Sequence, residues 1–320
     1  MKPSIPIISI FVVMAALLLG SAFSKPEIEP EPVEETPDAL MLRYPDVSTD
    51  SITFVYAGDV WVVPRSGGLA SRLTSAKGNE ILPKFSPDGE TIAFSGNYDG
   101  NVDIYTIPRT GGIPERLTHH PDDDIVVDWY PDGKSILFRS NMQSPSQRYN
   151  RLFRLSAKGG LPDALPLPYG ELGSFSPDGK KMAFEYMSPL RGAWRGYRGG
   201  MANDIWIYDV ETGSIEKITD HPGTDSAPMW HGKDIYFVSD RGGEKRINIW
   251  AFNTETHETR RVTDFKDFDV KWPSLGPDDI VFENGGRGPL LRLSRARESG
   301  KTRQGPQALP RPGPPPQDLS

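Results

Sequence analysis

The sequence predicts an all-β fold, a six-bladed β-propeller built from four-stranded antiparallel sheets. Three observations support this prediction: a strand-turn-strand signature recurs, its copies lie at a nearly constant spacing, and the chain after residue 24 has no sustained helical spacing of apolar residues. The composition agrees, because 32 Gly and 31 Pro among 320 residues indicate many turns.

The clearest copies of the signature are hairpins with a Pro-Asp-Gly turn, at residues 85–94, 129–138 and 175–184. Pro presets φ, Asp bonds its local backbone, and Gly accepts the positive φ that a tight hairpin needs. Each turn leads into an apolar triplet such as Ile92-Ala93-Phe94, as expected for a strand covered on both faces.

The spacing of the repeats matches one propeller blade. The triplets, including three degenerate copies, begin at Ile52, Ile92, Ile136, Met182, Ile235 and Ile280, which are separated by 40, 44, 46, 53 and 45 residues. A period near 45 with four short strands is typical of a blade. A second strand pair follows each hairpin, as in Asp103-Ile104-Tyr105-Thr106-Ile107 and then Arg116-Leu117-Thr118.

The predicted boundaries put the propeller at residues 41–304, with a weak sixth blade that leaves closure of the ring open. Residues 305–320 form a Pro-rich tail without apolar periodicity, for which we expect disorder. Aromatic residues at strand positions are expected to form the core between blades: Phe85, Trp129, Phe175, Trp206, Trp230, Trp250 and Trp272.

The N-terminus predicts a secreted or periplasmic protein. Residues 5–20 are predominantly apolar and Ala22 and Ser24 suit a cleavage site, so residues 1–24 are interpreted as a signal peptide. An uncleaved membrane anchor is the alternative, although the run is shorter than the roughly 20 residues that a spanning helix needs. Residues 25–40 are a Pro- and Glu-rich leader, for which we expect an extended, solvated chain.

Charge and composition exclude several functions. The net charge of −7 has the wrong sign for binding nucleic acid. The absence of Cys excludes disulfides, thiolate nucleophiles and Cys-ligated metals. We expect no cofactor, and the His- and Asp-rich segment 119–124 is interpreted as a structural loop because a similar loop recurs at 219–225.

Two resemblances follow from the repeats. The Phe-Ser-Pro-Asp-Gly hairpins followed by Asp-Ile-Tyr or Asp-Ile-Trp and then Arg-Leu-Thr resemble the WD40-like TolB repeat. Residues 194–207, 272–278 and 281–286 resemble the first, six-bladed propeller of the tricorn protease family. That resemblance implies a much longer chain in which a second propeller, a PDZ-like module and a serine-protease domain follow. We therefore expect a truncated or frameshifted product, unless the downstream DNA lacks a protease-like reading frame.

No catalytic residue is predicted. The string nearest to a nucleophile elbow, at residues 173–177, is a blade hairpin whose turn needs those residue types anyway. A hydrolase of the prolyl oligopeptidase type would need about 200 further residues for its catalytic domain.

Two groups of residues are candidates for binding peptides. The first is the insertion in the fourth blade, whose arginines and aromatics either grip peptide carboxylates or pack over the blade edge: Arg191, Trp194, Arg195, Tyr197 and Arg198. The second consists of acids six residues after a strand-ending Thr, which either surround one mouth of the channel or stabilise a repeated loop: Glu80, Asp124, Asp225 and Asp269.

The leading hypothesis is a non-catalytic propeller that gates or docks peptides or unfolded segments for a tricorn-like protease domain encoded downstream. The alternative is a periplasmic scaffold of TolB type that binds another protein. Neither hypothesis involves nucleic acid, and contact with a membrane is expected only through an uncleaved signal.

Overall fold

The computed structural model describes residues 41–146, 148–187, 196–243, 245–285, 289–292 and 307–308, the last two ranges by their backbone alone. The predicted signal and leader lie outside the described residues. Every regular element in the described part is a β-strand, and no helix there is long and apolar enough to cross a membrane.

In the described residues, twenty-four strands form six four-stranded sheets, each built from consecutive strands. The first three sheets contain β1 Arg43–Val47, β2 Ser51–Tyr56, β3 Asp59–Pro64, β4 Ser71–Arg72; β5 Glu80–Phe85, β6 Thr91–Gly96, β7 Asp103–Pro108, β8 Glu115–Arg116; and β9 Asp124–Trp129, β10 Ser135–Ser140, β11 Arg151–Ser156, β12 Asp163–Ala164. The last three contain β13 Leu172–Phe175, β14 Lys181–Glu185, β15 Trp206–Asp209, β16 Ile215–Lys217; β17 Asp225–His231, β18 Asp234–Ser239, β19 Asn248–Asn253, β20 Thr259–Arg261; and β21 Lys271–Leu275, β22 Asp279–Glu283, β23 Pro289–Arg292, β24 Gln307–Ala308.

The sheets form a closed ring. All strand pairs within a sheet are antiparallel, and the first strand of each sheet contacts the first strand of the next. The ring is complete because β1 also contacts β21 and β22. The predicted propeller of four-stranded sheets is therefore confirmed. The first strands lie around the axis, and we call them the inner strands.

The Pro-Asp-Gly hairpins have the predicted chemistry. In the second sheet Asp88 Oδ1 accepts a hydrogen bond from Glu90 N at 3.0 Å, and Gly89 has a φ of 74°. Hydrogen bonds from Ser86 and from the Glu90 backbone lower the pKa of Asp88. Because these bonds are local, the turn is specified by its own residues.

The core lies between neighbouring sheets. All six residues that begin the triplets are fully buried. One cluster joins Val60 of the first sheet to Phe85 and Ile92 of the second, and another joins Val127 of the third to Phe175 of the fourth. Each sheet thus buries both faces, which explains the continuous apolar triplets.

Two details differ from the sequence prediction. The fourth strand of the last sheet, β24, lies beyond residue 304, within the segment expected to be disordered. Trp272 is not core: it is only partly buried and borders the axis, because its left-handed φ of 46° turns the inner strand at this point. Trp206 and Trp250 are also only partly buried.

Candidate functional site

A small cavity that is open to solvent lies on the ring axis, and we call it the axial cavity. All six inner strands contribute to its wall, which is formed by Tyr44, Pro45, Leu82, Pro83, Lys84, Val126, Val127, Leu172, Ala227, Trp272 and Pro273. Lys84 is the one charged residue among them. The rings of Tyr44 and Trp272 meet edge to face, with centroids 4.8 Å apart. A largely apolar cavity with one polar end is the usual form of a ligand site.

A repeated β-bulge builds this wall. Every inner strand except β13 shifts its register there, and in four of them a residue with left-handed φ precedes a proline: Tyr44, Leu82, Ala227 and Trp272. Proline is tolerated at a bulge because it has no N–H to pair. The bulge turns these side chains and prolines towards the axis.

Side chains of the preceding sheet bind the backbone N–H groups that the bulges free. Ser95 Oγ accepts from Val126 N at 2.8 Å, and Glu185 Oε2 accepts from Ala227 N at 2.9 Å. Glu283 Oε1 accepts from Tyr44 N at 2.9 Å. These bonds hold the cavity wall to the neighbouring sheets.

The direction of the inner strands defines the two faces of the ring. Each inner strand begins at the face that has the loops between second and third strands, such as 97–102 and the insertion, and we call this the loop face. It ends at the Pro-Asp-Gly hairpins, on the opposite hairpin face. The bulge residues precede the rest of the inner strand, so the axial cavity lies towards the loop face.

Three of the predicted acids lie inside the wall of the ring. The side chains of Glu80, Asp124 and Asp225 are 1%, 0% and 0% exposed. Glu80 accepts hydrogen bonds from Val60 N at 3.0 Å and from Tyr98 Oη at 2.8 Å, and Arg241 donates to Asp225 at 2.6 Å. This burial favours the structural alternative, while a direct role in binding peptides stays a prediction.

Burial also changes the acidity of these groups. Desolvation raises the pKa of Asp124 to about 6, and its two carboxylate oxygens have no hydrogen-bond partner among the described residues. It raises the pKa of Glu80 and of Asp225 as well, although Thr74 and Arg241 oppose the shift. Glu80 and Asp225 are therefore held by neighbours within the protein.

The equivalent acid of the fourth sheet was not found from the sequence, whereas that of the sixth sheet, Asp269, was predicted. Glu171 precedes β13 as a buried acid that lies 3.2 Å from Arg139, but Leu165 stands six residues before it where the other sheets have Thr. In the sixth sheet Asp269 is partly exposed and accepts a hydrogen bond from Ile247 N at 3.1 Å.

The insertion is described in part. Arg191, Trp194 and Arg195 lie outside the described residues. Tyr197 is partly exposed, and Arg198 donates to Asp240 Oδ2 at 2.7 Å. Asp240 is 1% exposed and also accepts from Gly196 N at 3.1 Å, so it fixes the end of the insertion to the fifth sheet. Although its buried position raises the pKa of Asp240, the bonds from Arg198 and from backbone N–H groups outweigh this and lower it.

A basic and aromatic patch beside the insertion was not predicted. Arg148, in the loop after β10, is exposed, and its guanidinium lies 3.1 Å from Met201 Sδ and 5.8 Å from the Tyr149 ring centre. Tyr149 packs on Tyr169 at 4.9 Å. In the part of the chain that the structure describes, Arg148 makes no salt bridge. We call Arg148, Tyr149, Tyr169 and Met201 the rim patch.

Comparison with known proteins gives the same assignment of fold. The family described as the tricorn protease N-terminal beta propeller domain matches residues 39–297. A tricorn protease homolog from Saccharolobus solfataricus is 28% identical over 251 residues, which are 76% of this chain and 23% of that protein. The chain thus spans about a quarter of the length of such relatives.

Solved structures support the fold. The crystal structure of the tricorn protease superposes with a TM-score of 0.71 and 24% identity, over 81% of this chain and 26% of that one. A TolB structure from Agrobacterium tumefaciens superposes with a TM-score of 0.53 and 19% identity, over 79% of this chain and 80% of that one.

Proposed function

Because the chain belongs to the family of the tricorn protease N-terminal β-propeller domain, we propose that it is a non-catalytic propeller that docks peptides for a protease of the tricorn type. The observation that supports this most directly is the axial cavity, which is lined by all six inner strands and lies towards the loop face. The peptidase would be a linked or associated domain, and the propeller would hold its substrates or products.

The cavity wall suits one or two apolar side chains of a peptide. Tyr44 and Trp272 offer ring surfaces of fixed orientation, and the prolines add rigid apolar surface. Because the bulges and their hydrogen bonds hold this wall in place, little ordering is needed on binding.

The loop face supplies a binding partner for the polar part of a peptide. The exposed guanidinium of Arg148 can donate paired hydrogen bonds to a carboxylate or to backbone carbonyls. Arg198 is already paired with Asp240, so its role is to position the insertion beside the rim patch. The tyrosines of the patch offer stacking surface next to the cation.

The experiment measures binding of a labelled apolar oligopeptide to the purified full chain. The fluorescence anisotropy of the label reports the bound fraction. Trp272→Ala and Arg148→Gln should each weaken binding about tenfold, which corresponds to about 1.4 kcal/mol. Lys158→Gln removes an exposed cation from the hairpin face of the same sheet as Arg148 and should leave affinity unchanged.

The same preparations should release no fluorophore from fluorogenic peptides. Absence of peptide binding, or equal affinities for Arg148→Gln, Trp272→Ala and the Lys158 control, would contradict the proposed function. Cleavage of the fluorogenic peptides that co-purifies with the chain and persists in all three variants would contradict the non-catalytic part of the proposed function.

We also propose export from the cytoplasm with cleavage after Ser24. The apolar run at residues 5–20 and the small residues after it support this proposal. N-terminal sequencing of the protein recovered from a secreting host tests it: a mature chain that begins at Lys25 is expected, and an intact Met1 in a soluble cytoplasmic fraction would contradict it.

A further inference from the structure

A layer of polar side chains from four consecutive sheets follows the cavity-lining bulges along the inner strands, towards the hairpin face, and we call it the axial floor. It consists of Ser274, Asp46, Lys84 and Asp128, which follow the bulges of the sixth, first, second and third sheets. The equivalent positions of the fourth and fifth sheets are Ser174 and Met229, which carry no charge.

The side chain of Lys84 spans the floor. Its Nζ donates to Ser274 Oγ of the sixth sheet and lies 3.7 Å from Asp46 Oδ1 of the first sheet. The lysine thus reaches past the neighbouring sheet, and it also borders the axial cavity. Through Lys84 this charged layer borders the axial cavity.

The two carboxylates of the floor differ in their partners. Asp46 accepts hydrogen bonds from Phe85 N at 2.7 Å and from the Ser274 hydroxyl, besides its ion pair with Lys84. The hydrogen bond that the structure gives Asp128 comes from the adjacent Trp129 N, at 2.8 Å. Asp128 is partly exposed and follows Val127, which lines the cavity.

When its three charged side chains are ionised, the floor has one negative charge in excess, because two carboxylates share one ammonium. The chemistry of Asp128 agrees with this count: burial raises its pKa to about 6, Lys84 lowers it and Asp46 raises it. Asp128 is therefore mostly ionised at pH 7.5 and is only partly compensated. A second cation would complete the charge balance of the floor.

We propose that the axial cavity binds a primary ammonium group on an apolar stem, with the ammonium at Asp128 and the stem against Tyr44 and Trp272. This inference depends on the proposed function and names the part of a peptide that the cavity takes. The aromatic rings add attraction for a cation beside the apolar stem. A peptide carboxylate is disfavoured at the floor by the excess negative charge and belongs at Arg148.

Such an ammonium has two sources, the amino terminus of a peptide and a lysine side chain. Four labelled versions of one oligopeptide that begins with Leu separate them: free or acetylated at the amino terminus, each with or without one internal Lys. Recognition of the terminus predicts about tenfold weaker binding on acetylation whether or not Lys is present. Recognition of lysine predicts that the acetylated peptide with Lys binds as well as the free one.

The variant that tests the floor is Asp128→Asn, which keeps the shape and removes the charge. It should weaken binding of the amine-bearing peptides about tenfold and leave the acetylated, Lys-free peptide unchanged. Asp132→Asn changes an exposed acid in the hairpin of the same sheet. It should change neither the binding of the amine-bearing peptides nor that of the acetylated, Lys-free peptide. Because Asp128→Asn removes a poorly compensated charge, its unfolding midpoint should not fall below that of the wild type.

A measurement on the wild-type chain does not depend on how a variant folds. Phenethylamine should compete with the labelled peptide, while the uncharged analogue 2-phenylethanol should compete at least tenfold less. If all four peptides bind equally, or both small molecules compete equally, the amine site is wrong. If Arg148→Gln still weakens binding in that case, the proposed peptide docking stands, whereas no binding by any peptide would overturn both.

Discussion

Glu283 at the end of β22 accepts a hydrogen bond from the backbone N–H of Tyr44 in β1, at 2.9 Å, and so joins the last sheet to the first. Arg43 Nε donates to the same carboxylate oxygen at 3.2 Å. No strand is shared across this junction in the described residues, since β1–β4 and β21–β24 form separate sheets. Closure of the ring therefore depends on side-chain contacts such as this one.

Replacing Glu283 tests the closure of the ring. Glu283→Ala leaves the freed N–H of Tyr44 without its acceptor, and we expect a loss of roughly 1–3 kcal/mol in the free energy of unfolding. Urea denaturation followed by tryptophan fluorescence measures this loss. Glu90→Ala, at an exposed hairpin, should change stability by less than about 0.5 kcal/mol. Equal stabilities of the two variants would show that the contact does not hold the junction.

The hairpins and the period could be read from the sequence because both depend on local signals. The bond between Asp88 and Glu90 spans two residues, and the apolar triplets follow directly from the turns. The site was harder to predict, because it depends on residues that meet only when the ring closes. Lys84 and Ser274 are 190 residues apart, and Arg198 and Asp240 are 42 apart.

A signal for the axial cavity was nevertheless present. In four inner strands a bulky or small apolar residue precedes a proline three to four residues before the hairpin, as in Leu82-Pro83 and Trp272-Pro273. A proline repeated at one register position within a strand indicates a bulge. Trp272 was wrongly predicted as a core residue because a regular strand, without a bulge, was expected at this point.

The buried carboxyl of Glu185 should make stability depend on pH. Burial raises its pKa to about 8, opposed by the hydrogen bond from Ala227 N. The unfolded chain has a pKa of about 4.3 for this group. The folded state thus keeps a proton that the unfolded state releases, so the contribution of Glu185 is full below about pH 4.3 and is lost as the pH rises through about 8.

Glu185→Gln removes this dependence and keeps an acceptor for Ala227 N. We expect the variant to be less stable than, or equal to, the wild type at pH 5 and more stable by at least about 1 kcal/mol at pH 9. Thermal melts across this range measure the difference. Glu211→Gln, at an exposed turn, should track the wild type throughout. A Glu185→Gln profile parallel to that of the wild type would contradict the raised pKa.

The aromatic core between sheets should dominate stability. Phe138 is 0% exposed, stacks on Phe153 of the same sheet at 5.2 Å, and belongs to one buried cluster with Ala93 and Ile104 of the second sheet. Phe138→Ala should cost roughly 3–5 kcal/mol, because a large buried side chain is lost and a cavity is left. Phe268→Ala is the matched control, since that ring is 57% exposed, and we expect less than about 1 kcal/mol. Comparable losses measured by urea denaturation would argue against packing between sheets as the main source of stability.

A glycine in the loop before β5 should be irreplaceable for steric reasons. A Cβ on Gly78 would overlap the carbonyl oxygen of Asn97 and approach the Tyr98 ring to 3.2 Å. Because the nearest obstacle is backbone, the loop itself must move, and the hydrogen bond of Tyr98 to Glu80 moves with it. We expect Gly78→Ala to cost about 1–3 kcal/mol in the free energy of unfolding.

Gly243→Ala separates this steric effect from the general consequence of replacing a loop glycine. A Cβ there has no heavy atom within 4 Å among the described residues, so the substitution should leave stability unchanged or raise it slightly by restricting the unfolded chain. Urea denaturation of both variants gives the comparison. A Gly78→Ala protein as stable as Gly243→Ala would mean that the loop yields freely, and the contact between Tyr98 and Glu80 would then contribute little to the junction of the first two sheets.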